Sequence, residues 1–408
     1  MKKVSFFTLG CRSNYFDTEF MADQFREKGY FITDDADIHI INTCTVTAGA
    51  DRSSRQAIYR AKRKNPNSIV VVTGCYAQVS PMELLKLKEV DLVIGNTHKG
   101  EIVKLVEEFL EEKERNMYVG NIFRESHIRN FGLLTYFEKT RPFLKIQEGC
   151  NNFCSFCIIP FARGRVRSIP KEQVLEEVRL LAQRGFKEMV LTGTQLTQYG
   201  WDIKTNLYEL LKELLRIEGL EIIRLSSLYP LEIDKNLLEV MTSEEKIAPH
   251  FHISLQSASD RVLKLMERGY ETKDYVKLVE YIIEKRPISA IGTDIIVGFP
   301  TEKEEDFKLY LDVLEKLPIA YMHIFPYSDR EGTKAYRMGG RIREDIKKER
   351  VEILKELDSK KRNEFLEKNR GKELRAIVIE ENKLLTENYI SLERKGYSSV
   401  GELVKIVV

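Results

Sequence analysis

The sequence predicts an α/β chain in three parts: an N-terminal doubly wound parallel sheet, a central partial (βα)6 barrel, and a small C-terminal antiparallel β module. Three observations carry this. Residues 1–112 alternate near-continuous apolar runs with amphipathic stretches, as strands buried on both faces and their covering helices do. Residues 142–325 repeat the same unit six times, two short of a closed eight-fold barrel. Residues 372–408 alternate apolar and polar residues with glycines at turns, the pattern of an antiparallel sheet.

In the first part, strands are expected at 4–9 (VSFFTL), 38–42 (IHIIN), 69–74 (IVVVTG) and 91–95 (DLVIG). Helices are expected at 17–29, ending on Gly29, and near 51–64, 80–88 and 100–113. Residues 113–141 are charge-rich and weakly periodic, and read as a linker with room for short strands. In the second part, 142–369, strands fall near 143–148, 188–192, 221–226, 250–255, 289–297 and 320–325. The stretch 170–185 between the first two is helical, with Pro170 at its first turn. This part ends in a long charged helix, 341–369, whose apolar stripe (Ile346, Val351, Ile353, Leu354, Leu357) is narrow enough for a brace against the barrel. Residues 370–408 form the third part.

Bulk properties bound the function. The 408 residues suffice for two to four domains at roughly 100–200 residues each. A net charge of +2 does not demand a nucleic-acid partner, so any RNA contact must come from local patches. One such patch is DRSSRQAIYRAKRK (51–64), with Arg52, Arg55, Arg60, Lys62, Arg63 and Lys64 beside Tyr59; a solvated helix face is the plainer reading. No run of 18 apolar residues spans a membrane, and MKKVSFFTLG lacks the features of a secretory signal. A cytoplasmic protein is the expectation, and in a reducing compartment its six cysteines are metal ligands or catalysts rather than disulfides.

The cysteines form two trios. Cys150, Cys154 and Cys157 have the spacing C-x3-C-x2-C, with no fourth cysteine or histidine nearby. Structural zinc takes four ligands, whereas three thiolates suit a 4Fe–4S cluster with one iron left open. The amino and carboxylate groups of S-adenosylmethionine can chelate such an iron. Cys11, Cys44 and Cys75 closely follow the first three major strands of the first part. Open parallel sheets bind ligands beyond the carboxyl ends of their strands, so these three are expected at one edge.

These residues carry a resemblance. The C-x3-C-x2-C loop after the first barrel strand, with Phe156 before its last cysteine, is similar to that of the radical SAM superfamily. RPFLKIQEGCNNFCSFCIIPFARGRVRS (141–168), RLSSLYPLEI (224–233), HFHISLQSASDRVLKLMERGY (250–270), GTDIIVGFPTEKEEDF (292–307) and HIFPYSDREGTKA (323–335) resemble the methylthiotransferases. TLGCRSNYFDTE, NTCTVTAGADRSSRQ and TGCYAQ resemble their N-terminal domain, and residues 370–408 a shortened TRAM module, a small RNA-binding β-barrel. The motifs around Cys11 and Cys44 look most like the branch acting on N6-threonylcarbamoyladenosine, 3′ of the tRNA anticodon.

The resemblance implies that Cys150, Cys154 and Cys157 hold a radical-generating cluster and that Cys11, Cys44 and Cys75 hold an auxiliary 4Fe–4S cluster carrying sulfur. It implies two S-adenosylmethionine molecules per turnover: one methylates that sulfur, and one yields a 5′-deoxyadenosyl radical that removes hydrogen from C2 of the adenine. An electron donor such as flavodoxin or ferredoxin and a source of sulfur complete the reaction. S-adenosylmethionine is expected across the carboxyl edge of the barrel, near Phe156, Thr192, Gly193, Gln195, Ser226, Ser227, Ser254, Gln256 and Asp294. Arg163 and then Arg165, in a basic run with Arg167, are the candidates for the substrate carboxylate. Three alternatives stay open at this point: action on N6-isopentenyladenosine in tRNA, action on a ribosomal-protein aspartate, or a non-catalytic, zinc-stabilised RNA-binding protein.

Overall fold

The computed structural model describes residues 2–128 and 140–408. The N-terminal sheet has six parallel strands, β1 (Lys3–Thr8), β2 (Phe31–Ile32), β3 (Ile38–Thr43), β4 (Ile69–Gly74), β5 (Leu92–Ile94) and β6 (Asn116–Tyr118), in the order β2-β1-β3-β4-β5-β6. Helices α1 (Arg12–Glu27), α2 (Ala48–Lys64), α3 (Cys75–Val79), α4 (Pro81–Leu85) and α5 (Ile102–Glu112) cover both faces. Met21, Phe25, Ile102 and Val106 pack one face, and Ala57, Ile58, Tyr76 and Leu84 the other. That two-sided burial is why β3 and β4 read as continuous apolar runs.

Several short elements, such as β2 and α3, were not expected from the sequence, and two boundaries move. The sheet runs past residue 112 into the stretch read as linker, because Asn116–Tyr118 adds to β5 as a sixth strand. Three residues flanked by charges carry no detectable period. Helix α1 begins at Arg12, five residues early, with Cys11 as an N-cap that makes no side-chain cap bond. The usual start signal is absent there. Residues 129–139, the rest of the expected linker, lie outside the described residues.

The barrel strands are β7 (Phe143–Lys145), β10 (Glu188–Thr192), β11 (Ile222–Leu225), β12 (His250–His252), β13 (Ala290–Val297) and β14 (Tyr321–Pro326). A short hairpin, β8 (Gln147–Glu148) with β9 (Arg167–Ser168), brackets the cysteine loop and α6 (Ile159–Arg163). The barrel strands form two parallel sheets, β11-β10-β7 and β12-β13-β14, bridged at Ile223–Ile247 and Leu228–Ile253. The result is a partial barrel with β7 and β14 at its two edges. Around it lie α7 (Lys171–Gln183), α8 (Leu207–Leu214), α9 (Lys235–Ser243), α10 (Asp260–Leu265), α11 (Thr272–Lys285) and α12 (Glu304–Lys316). The long helix α13 (Glu344–Asn369) braces the barrel: Leu354 is fully buried, Asp358 accepts the Met322 N–H at 2.6 Å, and Lys361 caps the Leu317 carbonyl at 3.0 Å. The C-terminal module is an antiparallel sheet, β17-β16-β15-β18, built from β15 (Glu373–Glu380), β16 (Lys383–Thr386), β17 (Ser391–Glu393) and β18 (Leu403–Val407). Buried Arg224 of β11 holds it in place, donating to the Glu387 carbonyl at 2.9 Å.

Candidate active site

A cavity of about 300 Å³ opens at the carboxyl ends of the barrel strands. Cys150, Cys154 and Cys157 form one wall, and Val46 and Thr47, from the loop after Cys44, form another. The second loop is fastened across the barrel edge. Arg330, just past β14, donates to the Thr45 carbonyl at 3.2 Å and pairs with Asp51, while the Ser328 hydroxyl accepts the Ala48 N–H at 2.9 Å.

The cysteine loop is shaped by short contacts. Gly149 has φ +80°, and a Cβ there would stand 1.9 Å from the Arg165 carbonyl oxygen, so only glycine fits. The Cys150 N–H donates to Gly164 at 3.1 Å, and the Asn152 N–H reaches the Cys150 sulfur at 3.4 Å. Ser155 ties the loop to the end of α10 through the Leu265 and Met266 carbonyls. Arg268, 8% exposed, donates to the Cys154 sulfur at 3.5 Å and to the Ser254 carbonyl at 2.8 Å, with Tyr229 stacked 4.2 Å from its guanidinium.

The other trio gathers where the sheet ends. Cys11 precedes α1, Cys44 follows β3, and Cys75 opens α3 directly after β4. Asn14 Nδ2 gathers two of these loops, donating to the Leu9 carbonyl at 2.7 Å and the Thr43 carbonyl at 3.0 Å. Cys75 and Cys11 both bear electrostatically on Cys44.

Thiolates on one tetrahedral zinc, with bonds of about 2.3 Å, stand roughly 3.8 Å apart. Among the described residues, the trio of His, Cys, Asp or Glu ligand atoms lying within 4.8 Å of one another is His252, Asp294 and His323. Neither cysteine trio is among the groups that tight, and three thiolates with one iron left open is a donor set of iron–sulfur clusters. Burial pushes the Cys44 thiol up to about 12, with Cys75 adding to it, and burial pushes Cys150 to about 12 and raises Cys157 too. Such thiols become thiolates when a bound metal supplies positive charge. The donor sets therefore fit iron–sulfur clusters.

Phe156, Gln195, Ser227, Ser254, Gln256 and Asp294 all line the cavity. Gln195 Nε2 donates to Glu232 at 2.9 Å, and its N–H to Gln147 Oε1 at 2.8 Å. The Asp294 carboxylate accepts the Ser254 hydroxyl at 2.8 Å and lies 3.0 Å from His252 Nε2 and 3.2 Å from His323 Nδ1. Burial opposes its ionisation, but the His252 and His323 rings and the Ser254 hydroxyl outweigh burial and hold the carboxyl well below the usual range. Thr192, Gly193 and Ser226 lie just behind the wall; Thr194 and Ser227 take the lining positions. Gly193 packs against Gln147, whose Oε1 a Cβ would meet at 2.6 Å.

The two arginines read as carboxylate partners stand elsewhere. Arg163 is 2% exposed, and its guanidinium is engaged by Glu148, Asp17 and Asn14, so it is not free for a substrate. Arg165 is exposed but off the cavity, with its guanidinium over the Phe153 ring at 5.6 Å. Sequence reading missed Arg268, Asn152, Tyr229 and Glu232. Glu232 accepts from Thr197, Gln195 and Gln198 at the cavity rim. Asn152 stands inside the cysteine loop and was open to sequence reading, whereas Arg268, Tyr229 and Glu232 reach the site only through the fold.

Residues 3–95 match the family described as Uncharacterized protein family UPF0004, and residues 144–314 match the Radical SAM superfamily. The chain is 63% identical over 409 residues, 100% of both chains, to the Threonylcarbamoyladenosine tRNA methylthiotransferase MtaB of Aquifex aeolicus (strain VF5). It is 39% identical to the protein of the same name from Bacillus subtilis (strain 168), over 100% of this chain and 94% of that one. It is 37% identical to a tRNA-2-methylthio-N(6)-dimethylallyladenosine synthase of Fusobacterium nucleatum subsp. nucleatum, over 88% of this chain and 84% of that one. Among solved structures, the radical S-adenosylmethionine methyltransferase TsrM from Kitasatospora setae is similar in fold, with a TM-score of 0.58 at 14% identity over 82% of this chain and 77% of that one. The chain belongs to the radical S-adenosylmethionine methylthiotransferases, transferases that use S-adenosylmethionine and a 4Fe–4S cluster.

Proposed function

We propose that this protein methylthiolates C2 of N6-threonylcarbamoyladenosine beside the anticodon of tRNA, giving 2-methylthio-N6-threonylcarbamoyladenosine. The observation that carries the reading is that the loop after Cys44 and the loop bearing Cys150, Cys154 and Cys157 line one cavity. Two 4Fe–4S clusters, one per trio, supply the chemistry when bound: reductive cleavage of S-adenosylmethionine at one, delivery of sulfur at the other. The chain's own groups do the rest. Ser254, Gln256, Asp294 and Gln195, all on the cavity wall, offer hydrogen bonds to S-adenosylmethionine. Phe156 and Ile296 supply apolar wall.

The choice of nucleoside rests on two supports. Relatives 63% and 39% identical to this chain carry the threonylcarbamoyladenosine name. Asp294, on the cavity wall, is joined by Ser254 and Gln256, which offer it polar neighbours there. A nucleoside carrying a carboxylate and a hydroxyl suits polar walls, and an isopentenyl tail suits apolar ones; a site built for polar groups rejects an analogue lacking them. A flavodoxin- or ferredoxin-type electron donor and a sulfur source complete the partners. The test offers reconstituted protein three competing substrates: anticodon stem-loops carrying each modified adenosine, and the ribosomal protein. Mass spectrometry should find the methylthio adduct on the threonylcarbamoyl stem-loop. Preference for the isopentenyl stem-loop, or modification of the protein alone, overturns the assignment.

A further inference from the structure

Six charged residues meet where the N-terminal domain docks on the barrel, all of them buried: Lys99 (1% exposed), Lys145 (0%), Arg163 (2%), Arg167 (4%), Asp17 (0%) and Glu148 (9%). Asp17 pairs with Lys99 at 2.8 Å, with Arg163 at 3.0 Å and with Lys145. Glu148 pairs with Arg163, with Arg167 at 3.4 Å and with Lys145 at 3.5 Å. Four cations against two carboxylates leave a surplus of two positive charges in the network. Charge taken out of water without compensation is strongly unfavourable, so a surplus of this kind calls for a nearby anion.

The geometry says where that anion stands. Arg163 donates to the Oδ1 of Asn14, whose Nδ2 holds the Leu9 and Thr43 carbonyls that lead into Cys11 and Cys44. One residue before Arg163, the Ala162 carbonyl accepts from Asn96 Nδ2 at 2.8 Å, and that nitrogen lies 4.0 Å from the Cys75 sulfur. A four-iron cluster on three thiolates is an anion. We propose that the buried cation surplus centred on Arg163 is the counter-charge of the cluster on Cys11, Cys44 and Cys75. Arg163 is thus a positioning residue that couples loading of this cluster to docking of the N-terminal domain on the barrel. The inference rests on the reading of that trio as a cluster site. Burial works against the charge on Arg163, yet Cys75, Asp17, Glu148 and Cys11 together raise its proton affinity.

The test uses the full chain with Cys150→Ala, Cys154→Ala and Cys157→Ala, so that one cluster site remains, and reads reduction potential and iron loss to a chelator. Arg163→Met removes a cation and should make the potential more negative, because reduction adds negative charge. It should also speed iron loss on the order of 10–100-fold, the usual effect of removing an outer partner of a metal site. Asp17→Asn removes an anion and should move the potential the opposite way. Arg163→Lys keeps the charge and should restore the potential but not the slow iron loss. Should Arg163→Met not fold, Lys99→Met removes one cation while sparing the Asn14 contact, and should shift the potential in the same direction. Unchanged potentials, or shifts of one sign for Arg163→Met and Asp17→Asn, overturn the counter-charge. Absence of iron at the trio in the parent triple variant overturns instead the cluster reading beneath it.

Discussion

Gly74 precedes Cys75 and has φ +97°, a left-handed conformation that L side chains rarely adopt. A Cβ there would stand 2.4 Å from the Thr43 carbonyl oxygen and 2.6 Å from both the Thr43 nitrogen and Asn42 Oδ1. Thr43 precedes Cys44, so Gly74→Ala drives apart the two loops that must present their cysteines together. Left-handed strain costs about 1–2 kcal/mol, and overpacking against backbone that cannot swing away adds about 1–3 kcal/mol. The total, roughly 2–5 kcal/mol, lowers the unfolding temperature by roughly 6–15 °C at about 3 °C per kcal/mol. The assay pairs a thermal melt of the metal-free chain with iron per chain after anaerobic reconstitution, the barrel trio being replaced by alanine. A lower melt and loss of iron are expected. A variant that melts with the parent and fills its cluster to the same level would refute the argument that close packing of Gly74 on Thr43 builds the trio.

Cys154→Ala should abolish both cleavage of S-adenosylmethionine and methylthiolation, whereas Cys44→Ala should lose methylthiolation and keep uncoupled release of 5′-deoxyadenosine; full product from Cys44→Ala would contradict the division of labour. In the C-terminal module, Arg375 is bound to Glu387 and the Glu245 carbonyl, while Arg394 and Lys395 are exposed. Reversing the latter pair to glutamate should weaken tRNA binding and reduce the log–log salt slope by roughly two; an unchanged slope would exclude this face from RNA contact. His250 is buried in its neutral form, its proton affinity lowered by burial and then by Arg224 and Arg12, and its Nε2 lies 2.8 Å from the Tyr321 hydroxyl. Unfolding frees it to take a proton near its ordinary 6.5, so its contribution is full above that pH and is lost as pH falls below it. His250→Gln should flatten the decline in urea midpoint between about pH 7.5 and about pH 5.5; an equally steep decline would show that other groups set it.

Much of this was legible because the signals are local. Apolar runs marked β3, β4, β10 and β13 within a residue or two, and each cysteine follows a strand that its own flanks identify. At the strand ends the expected Gln195, Ser227, Ser254, Gln256 and Asp294 line the cavity while Thr192, Gly193 and Ser226 do not, because which of several adjacent side chains faces inward depends on a local register that is not written in the sequence. Partnerships across long separations were not legible. ARGRVR shows its charges, but nothing near Arg163 announces Asp17, 146 positions away by residue number, as its partner. Arg268 sits in MERGY like any surface arginine until the fold brings it to Cys154.

The central claim is that both trios serve one substrate carbon within one cavity. The most direct measurement supplies a threonylcarbamoyladenosine stem-loop carrying deuterium at C2 to the fully reconstituted protein and follows the label. The account predicts deuterium in 5′-deoxyadenosine, in step with the methylthio group that replaces it at C2. Methylthio product that retains the deuterium, or 5′-deoxyadenosine that never acquires it while product forms, would contradict the account.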